Sequence, residues 1–196
     1  MAKTVEFFFD FGSPTSYLAY TQLPRIAADC GAELNWRPML LGGVFKATGN
    51  ASPVTVPAKG RWMSADMARW AQRYGVALAP NPFFPVNTLT LMRIASGLQM
   101  ARPQDFAPYC AAVFGALWQR RQNLGDAAVV GATLTEAGLD AQSLLELAAR
   151  PDVKARLIAT TDEAVARGVF GAPTFFVGDQ LFFGQDRLEF VREALR

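Results

Sequence analysis

The stretch Thr4-Val5-Glu6-Phe7-Phe8-Phe9-Asp10-Phe11-Gly12-Ser13-Pro14 decides the fold of this chain. Its first six residues are aromatic or β-branched apart from one glutamate, which predicts a buried strand. Ser13 is a favourable N-cap and Pro14 suits the first helical position, so a helix should begin directly after the strand. A second strand is predicted over Glu33–Arg37. A strand, a helix and a strand in succession normally place the two strands parallel, so the chain should open as a β–α–β unit.

The rest of the chain predicts a helical middle and a hairpin near its end. Residues 41–57 are rich in Gly, Pro, Ser and Thr and predict an ordered loop. Apolar residues at helical spacing then predict several helices up to residue 149, followed by a long helix from Pro151. Gly178-Asp179 predicts a hairpin turn, and Asp186 with Glu189 predicts a capping box for the last helix. The order β-α-β, helices, α-β-β-α predicts an α/β fold with a helical insertion.

Composition excludes several kinds of chemistry. The 196 residues include no histidine and only two cysteines, Cys30 and Cys110. Histidine-based catalysis is therefore excluded, and two isolated cysteines cannot form a zinc knuckle, so no metal site is expected. The 19 basic and 17 acidic residues give a net charge of +2 and are scattered, which argues against nucleic-acid and membrane partners. Glu6 and Asp10 interrupt the apolar start, so we expect a soluble cytoplasmic protein without a secretion signal.

Two positions are candidates for chemistry. Ser13 ends a buried strand where a helix begins, so its hydroxyl and the first helical amides would favour an anion such as a thiolate. Serine before proline is ordinarily only a cap, and the chain has no cysteine there, so a thiolate would have to arrive with a ligand. Pro173 lies between the long helix and the hairpin, and the element order places it near the start of the first helix.

Five motifs spread over nearly the whole chain carry a family resemblance: Phe9-Asp10-Phe11-x-Ser13-Pro14-x-Ser16-Tyr17-Leu18, Gly49-Asn50, Pro57-Ala58-Lys59-Gly60, Phe170-Gly171-Ala172-Pro173-Thr174 and Phe183-Gly184-Gln185-Asp186-Arg187. Together with the element order, they resemble 2-hydroxychromene-2-carboxylate isomerases and the related kappa-class glutathione transferases, within the DsbA group of thioredoxin-fold proteins. The resemblance implies a DsbA-like, thioredoxin-like fold with a helical insertion. Residues 1–40 and 150–196 would form the thioredoxin-like domain, and residues 41–149 a loop plus helical insertion subdomain.

The resemblance also implies glutathione as the cofactor. Ser13-Pro14-Thr15-Ser16 stands where redox relatives have Cys-x-x-Cys, and Ser13, the implied catalytic residue, would donate a hydrogen bond to the glutathione sulfur. The backbone of Ala172, before a cis-Pro173, would pair with the cysteinyl part of glutathione. The residues implied at the glycyl and γ-glutamyl ends are Asn50, Lys59, Phe183, Gly184, Gln185 and Asp186.

Residues on the substrate side follow less directly from the family. The isomerases place a lysine where this chain has Phe45, with Lys46 next to it, so it is left open which of the two, if either, meets a substrate carboxylate. Phe83 is a candidate wall for a flat bicyclic substrate, although a phenylalanine is more often simply part of a core.

The implied activity is isomerisation of 2-hydroxychromene-2-carboxylate, or a related intermediate of aromatic degradation, through reversible addition of the glutathione thiolate. Pro57–Gly60 is closer to the transferases, so a kappa-like transferase or peroxidase is the nearest alternative. A thiol–disulfide oxidoreductase is disfavoured by the missing Cys-x-x-Cys, and a non-catalytic thioredoxin-fold binding protein also stays open. Relatives are dimers, so the resemblance implies a homodimer that takes a small aromatic substrate and glutathione.

Overall fold

Strand β1 (Thr4–Phe9) lies inside a four-stranded sheet of order β2-β1-β3-β4. The structure is a computed structural model and describes residues 2–196. β2 (Glu33–Pro38) runs parallel to β1, which confirms the predicted β–α–β opening. β3 (Thr174–Val177) pairs antiparallel with β1, and β4 (Gln180–Phe183) pairs antiparallel with β3, which confirms the predicted hairpin. The end of the chain is thereby held beside its beginning.

Helices cover both faces of this sheet. The middle helices and the long helix beginning at Pro151 are found where the apolar spacing predicts them. Within residues 2–196 the helices are α1 (Pro14–Asp29), α2 (Leu41–Thr48), α3 (Pro57–Tyr74), α4 (Leu89–Ala101), α5 (Phe106–Trp118), α6 (Ala127–Glu136), α7 (Ala141–Ala149), α8 (Pro151–Ala166) and α9 (Leu188–Leu195), with 3₁₀ turns at Pro53–Thr55, Pro103–Asp105 and Gln185–Arg187. This is the α/β arrangement with a helical insertion that the sequence predicts.

An aromatic core fixes the position of β1. Phe7 stacks on Phe175 of β3 with ring centroids 5.3 Å apart, and Phe9 meets Phe11 edge to face at 5.4 Å. Phe8 points to the other face of the sheet and meets Phe176 edge to face at 5.6 Å. These side chains are almost fully buried, and burial of a phenylalanine stabilises a fold by roughly 1.5–3 kcal/mol. The residues that follow β1 are therefore held on a well-packed base.

The prediction of a loop over residues 41–57 is wrong in its first half. Residues Leu41–Thr48 form α2, although Gly42 and Gly43 disfavour a helix. Tertiary contacts override this propensity, because the Leu41 N–H donates to Asp10 Oδ2 at 2.8 Å and the Leu40 N–H donates to Thr161 Oγ1 at 3.0 Å. A Cβ at Gly43 would lie 3.2 Å from Thr161, so the small residue allows the close approach of α2 to α8.

The predicted capping box at the last helix is also wrong. Asp186 lies in the Gln185–Arg187 turn, and α9 begins at Leu188 without a side-chain cap. The Asp186 carboxylate instead accepts a hydrogen bond from Arg187 Nη1 at 2.8 Å. Asp186 is therefore not engaged by the helix that follows it.

The two predicted parts of the chain contribute different elements. All four strands come from residues 1–40 and 150–196, whereas α2 to α7 lie within residues 41–149. The division into a discontinuous thioredoxin-like domain and an insertion subdomain stays a prediction. Between residues 2 and 196, no helix has the length and hydrophobicity required to cross a bilayer, and no cluster of three potential metal ligands occurs.

Candidate active site

Ser13 joins the end of the β1 segment to the start of α1. It is the N-cap of α1, and its Oγ accepts a hydrogen bond from the Ser16 N–H at 3.0 Å, as predicted. Pro14 at the first helical position has no N–H, and the Tyr17 N–H donates to Ser13 O at 3.1 Å. The Thr15 N–H makes no hydrogen bond within residues 2–196. The first turn of a 16-residue helix thus keeps an uncommitted amide beside a serine that is 4% exposed.

The loop before β3 meets this helix terminus. The Ala172–Pro173 peptide bond is cis, as the family resemblance implies. Ser13 Oγ lies 3.1 Å from the carbonyl oxygen of Ala172, and Thr15 Oγ1 lies 3.1 Å from the same oxygen. The two hydroxyls are 2.9 Å apart. The Ala172 N–H has no acceptor within the part of the chain that the structure describes, so it is available for pairing with a peptide-like ligand.

A buried carboxyl group lies beneath Ser13. Asp10 is 2% exposed and accepts hydrogen bonds from the Gly12 N–H at 2.8 Å, the Leu41 N–H at 2.8 Å and Thr88 Oγ1 at 2.7 Å. Burial raises the pKa of Asp10 above its ordinary value, and the three hydrogen bonds oppose that rise. The carboxyl group joins the turn before Ser13 to the starts of α2 and α4.

The residues implied for the γ-glutamyl end form a continuous segment beside the same loop. The Gly184 N–H donates to the carbonyl oxygen of Pro173 at 3.0 Å, and Gly184 has a φ of 104°, a conformation that favours glycine. Gln185 is 6% exposed, and its carbonyl accepts a hydrogen bond from Tyr74 OH at 2.8 Å. Partial burial, with the nearby Asp186 carboxylate as a smaller contribution, raises the pKa of Tyr74 to about 12. Tyr74 therefore stays a neutral donor that ties this segment to α3.

Asn50 lies just after the end of α2, and Lys59 lies just after the start of α3. Asn50 follows α2, and its Nδ2 donates to the carbonyl oxygen of Phe170 at 2.8 Å. The Phe170 ring meets the Phe183 ring at 4.5 Å, so this contact brings Asn50 to the implied cofactor segment. Lys59 lies in the first turn of α3 and is exposed.

The three substrate-side candidates are less closely connected to Ser13. Phe45 is half-buried on α2, Lys46 beside it is exposed, and Phe83 is 51% exposed in the segment between α3 and α4. None of the three makes a hydrogen bond to Ser13 or lines the cavity beside it within residues 2–196. Their assignment to a substrate stays a prediction.

A small cavity of about 70 Å³ lies beside Pro14. Its walls include Met67 of α3, Leu78 and Trp118 of α5. Trp118 is held by a hydrogen bond from its Nε1 to the carbonyl oxygen of Phe11 at 2.8 Å. This cavity lies against the first helical residue, and only long-range packing reveals it.

Comparison with known proteins identifies the family of this chain. The family model of the DSBA-like thioredoxin domain matches residues 4–196. A 2-hydroxychromene-2-carboxylate isomerase from Sphingobium xenophagum is 36% identical over 198 residues, which cover 100% of this chain and 99% of that protein. The chain belongs to the 2-hydroxychromene-2-carboxylate isomerase family, with a DsbA-like thioredoxin fold.

Relatives of this isomerase family extend to the kappa-class transferases. Glutathione S-transferase kappa 1 from Homo sapiens is 30% identical over 207 residues, covering 100% of this chain and 92% of that protein. A solved 2-hydroxychromene-2-carboxylate isomerase structure superposes with a TM-score of 0.82 at 32% identity, covering 98% of this chain and 94% of that one. Thr15, Asp10 and Tyr74 contact the candidate site through hydrogen bonds, and the sequence analysis did not nominate them.

Proposed function

We propose that this protein is a glutathione-dependent isomerase that acts on 2-hydroxychromene-2-carboxylate or a related intermediate of aromatic degradation. The observation that carries the proposal is the position of Ser13, at the N-terminus of α1 and 3.1 Å from the carbonyl of Ala172 before the cis-Pro173 loop. A DsbA-like fold with serine instead of cysteine at this position provides a thiolate site without its own thiol.

The local groups suit the sulfur of glutathione. A free thiol has a pKa of about 8.5 and is mostly protonated at neutral pH. Lowering that pKa by one unit requires about 1.4 kcal/mol, which a hydroxyl donor and a helix N-terminus can supply together. Ser13 would donate to the sulfur while its oxygen still accepts from Ser16. The free N–H of Thr15 adds a second donor in the same turn.

The remaining cofactor contacts match the chemical groups of a tripeptide. The free N–H of Ala172, held by the cis-Pro173 loop, would pair with the cysteinyl backbone. Asn50 and the Lys59 ammonium would hold the glycyl carboxylate. The Asp186 carboxylate would bind the γ-glutamyl ammonium, with the further contacts supplied by Phe183, Gly184 and Gln185.

Bound glutathione would supply a nucleophilic thiolate for reversible addition to a conjugated substrate. The chain's own residues orient the reactants. Phe45 and Phe83 would contact the aromatic part of the substrate, and Lys46 would attract the substrate carboxylate. No residue of this chain has to act as the nucleophile.

A kappa-like transferase or peroxidase is the second candidate. The similarity to human glutathione S-transferase kappa 1 over the whole chain and the Pro57–Gly60 stretch both favour it. The two candidates differ in thiol balance, because an isomerase recovers glutathione and a transferase or peroxidase consumes it.

The test is turnover of 2-hydroxychromene-2-carboxylate with and without glutathione, with total thiol measured before and after. The proposal expects isomerisation only with glutathione and no loss of thiol. Consumption of thiol with an electrophile or peroxide, without isomerisation, would replace it by the second candidate. Absence of both activities would contradict both candidate functions. A midpoint of thermal unfolding raised by millimolar glutathione would then indicate a binding protein.

We also propose a cytoplasmic homodimer. Cys30 and Cys110 are both free thiols, which suits a reducing compartment. Light scattering coupled to size exclusion should give twice the mass of the 21.3 kDa chain, and a mass equal to one chain would contradict the dimer.

A further inference from the structure

The hydroxyls of Ser13 and Thr15 share a single carbonyl oxygen, that of Ala172. The three oxygens form a triangle with sides of 2.9, 3.1 and 3.1 Å. Each hydroxyl can donate only one hydrogen, and the Ser13 oxygen is also occupied as acceptor by the Ser16 N–H. In the triangle, therefore, the hydrogen of Ser13 is directed to a protein oxygen rather than to a ligand.

A thiolate beside Ser13 would compete with the Ala172 carbonyl for the Ser13 hydrogen. To donate to sulfur, Ser13 must withdraw its hydrogen from the triangle. The carbonyl oxygen of Ala172 has no other side-chain donor than Ser13 and Thr15 within residues 2–196. A carbonyl that loses its last hydrogen bond in a partly buried site carries a free-energy penalty, which would be subtracted from the stabilisation of the thiolate.

We propose that Thr15 is a positioning residue that takes over the Ala172 carbonyl and so releases the Ser13 hydroxyl for the glutathione sulfur. This inference rests on the proposed function. Thr15 is well placed for the task, because it is the second residue of α1 and its hydroxyl already lies within hydrogen-bond distance of both other oxygens. The Ala172 carbonyl then remains hydrogen-bonded in the free protein and in the complex.

The matched variants are Thr15→Val and Thr15→Ser. Valine keeps the branched shape and removes the hydroxyl, whereas serine keeps the hydroxyl and removes a methyl group. The measured quantity is the pKa of the thiol of bound glutathione, followed by the ultraviolet absorbance of the thiolate as the pH is varied. Thr15→Val should raise this pKa by about half a unit to one unit relative to the wild-type protein, and Thr15→Ser should restore it.

S-methylglutathione separates positioning from simple damage to the site. It has no thiolate and does not need the Ser13 hydrogen, so Thr15→Val should bind it as tightly as the wild-type protein by calorimetry. Weaker binding of S-methylglutathione by Thr15→Val, with unchanged binding by Thr15→Ser, would assign the hydroxyl a structural role and overturn the inference.

The outcomes also distinguish this inference from the proposed function. If the wild-type protein lowers the thiol pKa of bound glutathione and Thr15→Val lowers it equally, the role of Thr15 is refuted and the proposed function stands. If the wild-type protein does not bind glutathione or leaves its thiol pKa near the free value, the proposed function is refuted and the role of Thr15 with it.

Discussion

The proposed sulfur end of the site and its proposed substrate side are built differently. The sulfur end comprises Ser13, Thr15, Ala172 and Pro173, and it joins the start of the chain to a loop 159 residues later through hydroxyl contacts of 3.1 Å. The proposed substrate side comprises Phe45, Lys46 and Phe83, which have few polar contacts, and half of the Phe83 side-chain surface is exposed. Contacts within the fold hold the residues of the sulfur end in place, whereas few contacts restrict the residues of the substrate side.

This difference is consistent with the range of relatives. Proteins named 2-hydroxychromene-2-carboxylate isomerase and glutathione S-transferase kappa both match this chain over nearly its full length. A shared sulfur end with different substrate sides would allow one cofactor to be used in several reactions. Changes at the sulfur end should therefore have large effects on every reaction, and changes on the substrate side should have small and substrate-dependent effects.

The largest effect is expected from Ser13→Ala. Loss of the donor to sulfur should lower kcat/KM for the isomerisation by roughly two to three orders of magnitude, by analogy with the removal of one donor at a developing anion. The fold should survive, since a lost N-cap costs only about 1 kcal/mol. Steady-state kinetics and the midpoint of thermal unfolding measure the two effects. Wild-type kinetics in this variant would show that the thiolate is stabilised elsewhere.

Asp10→Asn tests the support beneath the sulfur end. An asparagine side chain has only one acceptor oxygen, so it cannot accept hydrogen bonds from the Leu41 N–H as well as from the Gly12 N–H and the Thr88 hydroxyl. The free energy of unfolding should therefore fall by roughly 1–3 kcal/mol at acidic pH. The pKa of Asp10 is raised in the folded state, so its contribution to stability is fully present below the unfolded value of about 4 and is lost as pH rises through the folded pKa.

Urea unfolding of the wild-type protein and the Asp10→Asn variant across that pH range measures this effect. The difference in free energy of unfolding between the two proteins should shrink as pH rises above about 4. A difference that grows with pH would mean that the Asp10 pKa is lowered rather than raised in the folded protein.

Gly184→Ala tests the γ-glutamyl segment against a matched control. Gly184 has a φ of 104°, and a Cβ there would collide with Asp186 Oδ1, so the Asp186 carboxylate should be displaced and glutathione affinity reduced by about tenfold. Gly178 in the hairpin turn also has a positive φ, of 57°, but a Cβ added there by Gly178→Ala would meet no atom within 4 Å. Both variants should lose some stability, but calorimetry should show weaker glutathione binding only for Gly184→Ala. Equal affinities would remove Asp186 from the site.

The smallest effect is expected on the substrate side. Phe83→Ala should raise KM for an aromatic substrate by about threefold to tenfold, through lost apolar contact, while glutathione affinity stays unchanged. Phe190 of α9 is 53% exposed, similar to Phe83, and Phe190→Ala provides the control. A lowered glutathione affinity in Phe83→Ala would place this ring at the cofactor and weaken the contrast between the two regions.

The parts of the structure that were predictable from sequence depend on local signals. The strand before Asp10, the Ser13 cap and the Gly178-Asp179 turn follow from neighbouring residues. Helix α2 was missed because its stability depends on contacts to Asp10 and Thr161, which override two glycines.

The roles of the missed site residues depend on distant partners. Thr15 meets a carbonyl 157 residues later, and the Asp10 carboxyl meets a hydroxyl 78 residues later. Tyr74 donates across 111 residues to the carbonyl of Gln185. A cis bond at Phe84–Pro85 had no sequence signal either, whereas the one at Pro173 was implied by family resemblance. Only the folded chain brings these groups together.

The most direct test of the central claim is a pH titration of the thiol of glutathione bound to the wild-type protein and to Ser13→Ala. Thiolate absorbance should give a pKa at least one unit below the free value of about 8.5 in the wild-type complex. In the Ser13→Ala complex the pKa should return most of the way to the free value. Equal pKa values in the two complexes, or a wild-type value that matches free glutathione, would contradict the assignment of Ser13 as the residue that holds the thiolate.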